Sequence, residues 1–297
     1  MQKNSTNRVI QINKASHKLH RFAIPYIVWL YILAIAPVVV MFVLMLVDTE
    51  GISFGDAYFT FSNFAILTEK STIIAFLNSI KFALITTIIC IFFGFLVAYY
   101  LYKSKFKNKY LILLLFILPM WTNFLLRINA LASIFKENNI LSSILHFGFP
   151  NIIGTDFAII LGMVFTYLPF MILPIYTSLE KIDPLLHEAA LDLGLTEFKK
   201  FWKVVVPLGM RGVVSGSIMV LLPCLSGFAI PSILGDRNII LIGNIIEQNF
   251  VNMNYTLGSV LAIVILIIIL GSIMIVNKVD KDGETLLWWM MLKMLMN

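Results

Sequence analysis

Charged side chains are scarce in this sequence. Asp, Glu, Lys and Arg together make up 13% of the 297 residues, whereas 60% are hydrophobic and the mean hydropathy is +0.92. An ordinary soluble domain carries about 25% charged residues, so the composition excludes that class. The formal net charge of +6 does not indicate a nucleic-acid-binding protein, because the basic residues form short clusters between apolar runs and not one continuous stripe.

Residues suited to covalent or metal chemistry are also few. The two cysteines, Cys90 and Cys224, both lie inside apolar runs, where a cysteine behaves as a small hydrophobic residue. The histidines show no ligand spacing with carboxylates or thiols (His17, His20, His146 and His187). We therefore predict no disulfide, no metal site and no catalytic residues, and a membrane enzyme is the least favoured class of function.

The sequence also lacks an energy source of its own. None of its long apolar runs contains Asp or Glu, although an ion-coupled carrier usually needs an ionisable group at membrane depth. The phosphate-binding pattern G-x-x-x-x-G-K-[ST] is absent too. These absences predict that another chain supplies the energy. A carrier or channel that works alone remains the alternative.

Six apolar runs are long enough to cross a membrane, which requires roughly 20 helical residues. We predict an all-α, polytopic membrane protein in which residues 22–277 form a six-helix domain between segments 1–21 and 278–297. Lys and Arg concentrate before the first run, in the second-to-third connection and in the fourth-to-fifth connection, so both termini are predicted to be cytoplasmic. The predicted spans are 22–47, 80–102, 110–135, 157–179, 207–234 and 256–277.

The external connection at 48–72 is long enough to cap the outer face, with amphipathic turns predicted around Phe54 to Phe64. Lys81 is predicted to begin the second span and to extend its ammonium group outward. Arg127 is the other cation expected at membrane depth, where insertion scales give a cost of about 2.5–3.5 kcal/mol.

The cytoplasmic connection at 180–207 contains the signals of two short helices. Asp183 can cap a helix whose first turn holds Pro184, and Gly194 supplies the left-handed residue that ends it. Thr196 is predicted to cap a second helix that stops near Pro207. The segment therefore reads as helix, glycine turn, helix, projecting from the bilayer.

An apolar stripe with small residues at its centre is predicted on the first of these helices. Glu188 and Asp192 flank the stripe and can orient a partner. An exposed stripe of this kind on a membrane protein indicates a protein partner. The stripe consists of Leu185, Leu186, Ala189, Ala190 and Leu193.

The spacing of this connection resembles the EAA loop of importer-type ABC permeases. Glu188, Ala189 and Ala190 are followed at family spacing by Gly194 and by an aliphatic-x-aliphatic-Pro ending at Pro207. In that family the loop is the coupling helix, which docks on the ATP-binding subunit. The resemblance implies that Glu188, Ala189, Ala190, Asp192, Gly194 and Pro207 couple this chain to an ATPase.

Further motifs are similar to the first permease subunit of spermidine/putrescine importers. The resemblance covers about residues 79–275 and implies a type I ABC importer permease fold and transport of polyamines. Another solute, such as an oxyanion or ferric iron, is the alternative within the family. The motifs are Pro119, Trp121, Thr122, Asn123 and Arg127; Leu168 to Met171 with Pro174 and Tyr176; Glu180 and Lys181; and Leu241 to Asn244.

The family implies several partners. They are a second related permease subunit, two ATP-binding subunits that hold ATP and Mg, and an external solute-binding protein. No cofactor is expected on this chain. The family also implies a bacterial inner membrane.

A polycation crossing a bundle without buried carboxylates would move along aromatic faces and along carbonyl or amide oxygens. The alternative reading gives each aromatic residue a packing or interfacial role and each carboxylate the role of a solvated loop charge. Arg127 is predicted to pair with a carboxylate or with carbonyls at the outer gate. The candidate pathway residues are Trp121, Asn123, Arg127, Tyr167, Tyr176, Asp236 and Glu247.

Overall fold

The computed structural model describes residues 25–50, 53–136, 151–236 and 238–279. The predicted segment 1–21 and nearly all of 278–297 lie outside them. The helices are α1 Pro25–Leu46, α2 Lys70–Lys103, α3 Lys109–Ile117, α4 Phe124–Phe135, α5 Asp156–Glu180, α6 Pro184–Asp192, α7 Glu197–Lys200, α8 Val206–Ser226, α9 Ala229–Leu234, α10 Ile242–Val251 and α11 Tyr255–Val279; the strands are β1 Val47–Glu50 and β2 Ser53–Phe59. Short 3₁₀ turns cover Ser62–Thr68 and Leu118–Trp121, and a π-helical turn covers Phe201–Val205.

Three long helices, α2, α5 and α8, form the core of the bundle. Their sequences are apolar on nearly every face, as expected for helices that contact protein on one side and lipid on the other. Small residues set the close contacts: a Cβ on Gly94 or on Gly216 would come within 2.7 Å of Met171 side-chain atoms. Such small-residue contacts let membrane helices approach closely without a hydrophobic driving force between them.

A second, smaller cluster lies beside this core. The C-terminal part of α1, the 3₁₀ turn Ser62–Thr68, α10 and α11 bury Met45, Ile66, Ile242 and Leu261 against one another. The connection after α1 is an antiparallel β-hairpin, in which Val47 pairs with Phe59. The turns predicted there were therefore partly wrong, because residues 53–59 form a strand.

The predicted spans agree best with the structure where an apolar run is uninterrupted. Within the part of the chain that the structure describes, five helices are long and apolar enough to cross a membrane, and a sixth span results if α3 and α4 count as one. The predicted span 110–135 therefore corresponds to two helices, α3 and α4, that are bent by 94° relative to each other. The side-chain oxygen of Asn123 accepts hydrogen bonds from the backbone N–H groups of Leu125 and Leu126, and this cap starts a new helix in a new direction.

The predicted span 207–234 is also interrupted. Helix α8 ends at Ser226, and Gly227 is extended with φ −70° and ψ 136° before α9 begins. Helix α2 starts at Lys70 and not near residue 80, so Lys81 lies within the helix and not at its beginning. Its ammonium group forms an ion pair with Asp156 at the start of α5, with an N–O distance of 2.5 Å.

Candidate functional site

The first helix of the 180–207 segment, α6, is fixed at both ends by local hydrogen bonds. Asp183 accepts a hydrogen bond from the backbone N–H of Leu185 at 2.9 Å, and Pro184 occupies the first turn. At the other end the N–H of Gly194 donates to Leu191 and that of Leu195 donates to Ala190. With φ +76° at Gly194, this is a Schellman ending. The predicted cap and glycine turn are confirmed.

The second helix of the segment differs from the prediction. Thr196 caps it, accepting a hydrogen bond from the N–H of Lys199 at 3.4 Å, but the helix does not stop near Pro207. It runs from Glu197 to Ser226 without a break through the π-helical turn. A proline clashes with the carbonyl four residues earlier, and a π-helical turn is a local adjustment of the helical hydrogen-bond pattern. The loop is therefore joined rigidly to α8.

One face of α6 is open to a partner. Leu185, Glu188, Ala189 and Asp192 are exposed and follow helical spacing, so they lie on the same side. Leu185 is 67% exposed. Ala190, in contrast, is only 4% exposed and packs against the chain itself. The predicted apolar stripe is thus divided, and Ala190 is not part of the exposed face.

The inner face of α6 contacts the end of α2. The hydroxyl of Tyr102 and Nε2 of His187 are 2.6 Å apart. Burial lowers the pKa of His187 below its ordinary value, and nearby Lys200 lowers it further, while Glu197 opposes the shift. The imidazole is therefore neutral over most of the physiological pH range. Sequence analysis missed this contact because only the fold brings the two residues together.

A cavity of about 390 Å³ lies where the chain breaks after α8. Tyr167 is on its wall, eleven residues from Asp156, which places the cavity about 16 Å along α5. The cavity is open to the surface on one side, and its wall combines aromatic rings with the interrupted backbone. The lining residues are Phe124, Leu125, Met163, Tyr167, Pro223 and 226–231.

The break itself is held by the motif 241–244. A Cβ on Gly243 would lie 2.5 Å from the carbonyl oxygen of Ser226, so only glycine permits this approach. The side-chain amide of Asn244 donates to the carbonyl oxygen of Phe228 at 2.9 Å and to the hydroxyl of Ser232 at 2.7 Å. We call this contact the α10 latch. The family resemblance singled out the motif at 241–244, but its role in holding the break after α8 could not be derived from the sequence.

Of the predicted pathway residues, the structure places Tyr167 on the cavity wall. Tyr176 is buried, and its hydroxyl donates to Glu180 at the far end of α5. Asn123 caps α4. Trp121 is 83% exposed and is absent from the cavity wall. These three residues lie outside the cavity wall, and their role in a solute pathway stays a prediction.

The charged candidates lie outside the cavity wall as well. Nη1 of Arg127 donates to the carbonyl oxygen of Pro119 at 3.0 Å, which matches the carbonyl half of the prediction. Asp236 adopts a left-handed conformation with φ +47° after α9. Glu247 is half-buried on α10. The structure thus does not gather these charges into one site.

The family model and the known proteins that match this chain agree with one another. Residues 90–279 match the model described as "Binding-protein-dependent transport system inner membrane component". The chain is 32% identical to the spermidine/putrescine transport system permease protein PotB of Haemophilus influenzae, covering 85% of this chain and 91% of the relative. It is 33% identical to PotB of Escherichia coli K12, covering 84% of this chain and 92% of the relative.

The fold has a solved counterpart. A chain from the crystal structure of a bacterial alginate ABC transporter, in complex with an alginate pentasaccharide-bound periplasmic protein, superposes with a TM-score of 0.70. The match covers 92% of this chain and 97% of the other at 16% identity. The predicted ABC importer permease fold is confirmed.

Proposed function

Because the chain belongs to the family of binding-protein-dependent transport system inner membrane components, we propose that it is the membrane-spanning subunit of an ATP-driven polyamine importer and that α6 is its coupling helix. The observation that carries this proposal is the exposed face of α6, with Glu188 and Ala189 at its centre. The caps at Asp183 and Gly194 hold that face in a fixed orientation. The chain is a multi-pass inner membrane protein and a transport subunit.

The partners in this proposal are those of a complete importer. A second related permease would complete the pathway, two ATPase chains would bind ATP and Mg, and an external binding protein would deliver the solute. The absence of a phosphate-binding loop in this sequence supports a separate ATPase. With α6 facing the ATPase, the termini and the 180–207 loop are cytoplasmic, and the β-hairpin is external.

Spermidine and putrescine are the proposed substrates. The support comes from two relatives, each at least 32% identical over more than four fifths of this chain, which are named as spermidine/putrescine permeases. The cavity wall adds physical support, since Phe124, Tyr167 and Phe228 offer aromatic faces to an alkylammonium chain. These relatives do not favour an oxyanion or ferric iron as the solute.

The coupling role is tested by Glu188→Lys. Reversing a charge at a docking surface places like charges together and costs several kcal/mol, so ATP-dependent uptake of labelled spermidine should fall at least about tenfold. The ATPase chains should also co-purify less. Glu69→Lys is the matched control, because it makes the same charge change at an exposed residue at the start of α2.

Undiminished uptake by Glu188→Lys would refute the docking role. Uptake into liposomes that hold this chain without ATPase subunits would instead favour a carrier or channel that works alone. The substrate is tested separately by measuring spermidine, putrescine, sulfate and ferric iron binding to the cognate external protein.

A further inference from the structure

The loop at 180–207, which contains the proposed coupling helix and is called the coupling loop below, has two covalent connections to the bundle and several polar contacts to a third region. The chain leads from α5 into α6 and from α7 into α8, but α2 is not covalently joined to the loop. Yet α2 packs in the core against both α5 and α8. Because no covalent connection joins the loop to α2, a movement of the loop reaches the cytoplasmic end of α2 only through contacts between side chains.

Three such contacts lie around the turn between α2 and α3. The hydroxyl of Tyr102 meets Nε2 of His187 on the inner face of α6. Nζ of Lys103 lies 3.2 Å from Oε2 of Glu197 at the start of α7. The hydroxyl of Tyr110 donates to Glu180 at 2.7 Å. The residues around this turn thus contact the loop at its beginning, on α6 and at the start of α7.

The contact between Tyr102 and His187 differs from the other two in its surroundings. Lys103 and Glu197 are both more than half exposed, and exposed ion pairs contribute little. Tyr102 and His187 are half-buried, so their hydrogen bond is less exposed to competition from water. A cavity of about 230 Å³ separates α6 from α2 at this point. Packing is incomplete there, and the hydrogen bond bridges the gap.

We propose that Tyr102 and His187 are positioning residues that make α2 move with the coupling helix. This inference rests on the proposed function, since it requires that an ATPase pulls on α6. The exposed face of α6 receives the force, and the opposite face passes part of it to the end of α2 through this hydrogen bond. Without the bond, the end of α2 follows the loop less closely, so ATP would be hydrolysed with less solute imported.

The test uses the complete importer in proteoliposomes and measures spermidine imported per ATP hydrolysed. Tyr102→Phe removes only the hydroxyl and should lower this ratio roughly three- to tenfold, as expected from the loss of one hydrogen bond. His187→Ala should have the same effect, and the double variant should be no worse than either single one. His187→Gln retains an acceptor and should keep most of the ratio.

Tyr100→Phe is the matched control. It makes the same chemical change two residues earlier on α2, at a side chain that is 67% exposed on the outside of the bundle. Its ratio should equal that of the unaltered protein. If Tyr102→Phe behaves like Tyr100→Phe, the inference is wrong. It is also wrong if Tyr102→Phe lowers thermal stability while the ratio stays constant, because the bond would then be purely structural.

Failure of the proposed function would appear differently. In that case the unaltered protein, assembled with the cognate ATPase and binding protein, would show no ATP-dependent import of spermidine. Import by the unaltered protein combined with an unchanged ratio in Tyr102→Phe and His187→Ala overturns only the positioning role.

Discussion

Gly194 offers the sharpest test of how the coupling loop is built. Its φ of +76° lies in the left-handed region, and an added Cβ would meet no atom within 4 Å. Substitution there therefore costs backbone strain but causes no clash. For an ordinary L-residue the left-handed conformation costs roughly 1–2 kcal/mol, and a β-branched residue is a still rarer occupant.

This cost can be converted into an expected rate. A cost of about 1–2 kcal/mol lowers the population of the closed glycine turn by a factor of roughly 5–30 relative to frayed forms. If only the closed turn presents α6 correctly, ATP-driven import by Gly194→Ala should fall by up to that factor. Gly194→Val should fall further. Gly194→Asn should lose least, because asparagine tolerates the left-handed region.

The assay is spermidine uptake into membrane vesicles, normalised to the amount of inserted chain, with co-purification of the ATPase subunits as a second measurement. Insertion should be unchanged, since the turn lies outside the apolar helices. Equal uptake by the Val and Asn variants would refute the reasoning, because it would show that the left-handed turn is not needed for coupling.

Two further predictions follow from the close packing around Gly212 and from the surroundings of His187. Gly212→Ala should lower the unfolding temperature in detergent by several degrees, because the added Cβ would lie 2.4 Å from the carbonyl oxygen of Pro174. Gly271→Ala is the control and should leave the unfolding temperature unchanged, because the space around its Cβ is open. Equal unfolding temperatures for the two variants would contradict this packing. The pKa of His187 is lower in the folded protein than the ordinary histidine value of about 6.5. The stability that neutral His187 contributes is therefore complete above about pH 6.5, and it is lost as the pH falls through the pKa of His187 in the folded protein. The amount of solute imported per ATP should therefore decline on acidification in the unaltered protein. The share of this decline that comes from protonation of His187 should be absent in His187→Gln. Identical pH profiles for the two proteins would contradict the prediction.

The sequence predicts the fold well where one physical signal dominates. Long uninterrupted apolar runs gave three spans to within three residues of the helices Pro25–Leu46, Asp156–Glu180 and Tyr255–Val279. The interruptions at Asn123 and Gly227 were missed because both residues lie inside runs whose average hydropathy stays high. Average hydropathy reports the cost of transfer into lipid but not backbone direction, and a single cap or extended residue is enough to redirect a helix.

The candidate site likewise has features that the local sequence predicts and features that depend on how the helices pack. The caps of α6 were predictable because they depend on residues within four positions of each other. The burial of Ala190 and the contact between Tyr102 and His187 depend on which helices become neighbours. No local pattern contains that information.

The α10 latch explains how the chain can keep an open cavity beside an interrupted helix. Ending a helix inside a membrane leaves backbone carbonyls that lipid cannot satisfy, and each unsatisfied group costs several kcal/mol. Asn244 donates to the carbonyl of Phe228, and Gly243 lets α10 approach Ser226. Because the latch satisfies the broken backbone from one side, the opposite side can remain open as the cavity that holds Tyr167. The irregular segment is tolerated at this depth because protein lines it.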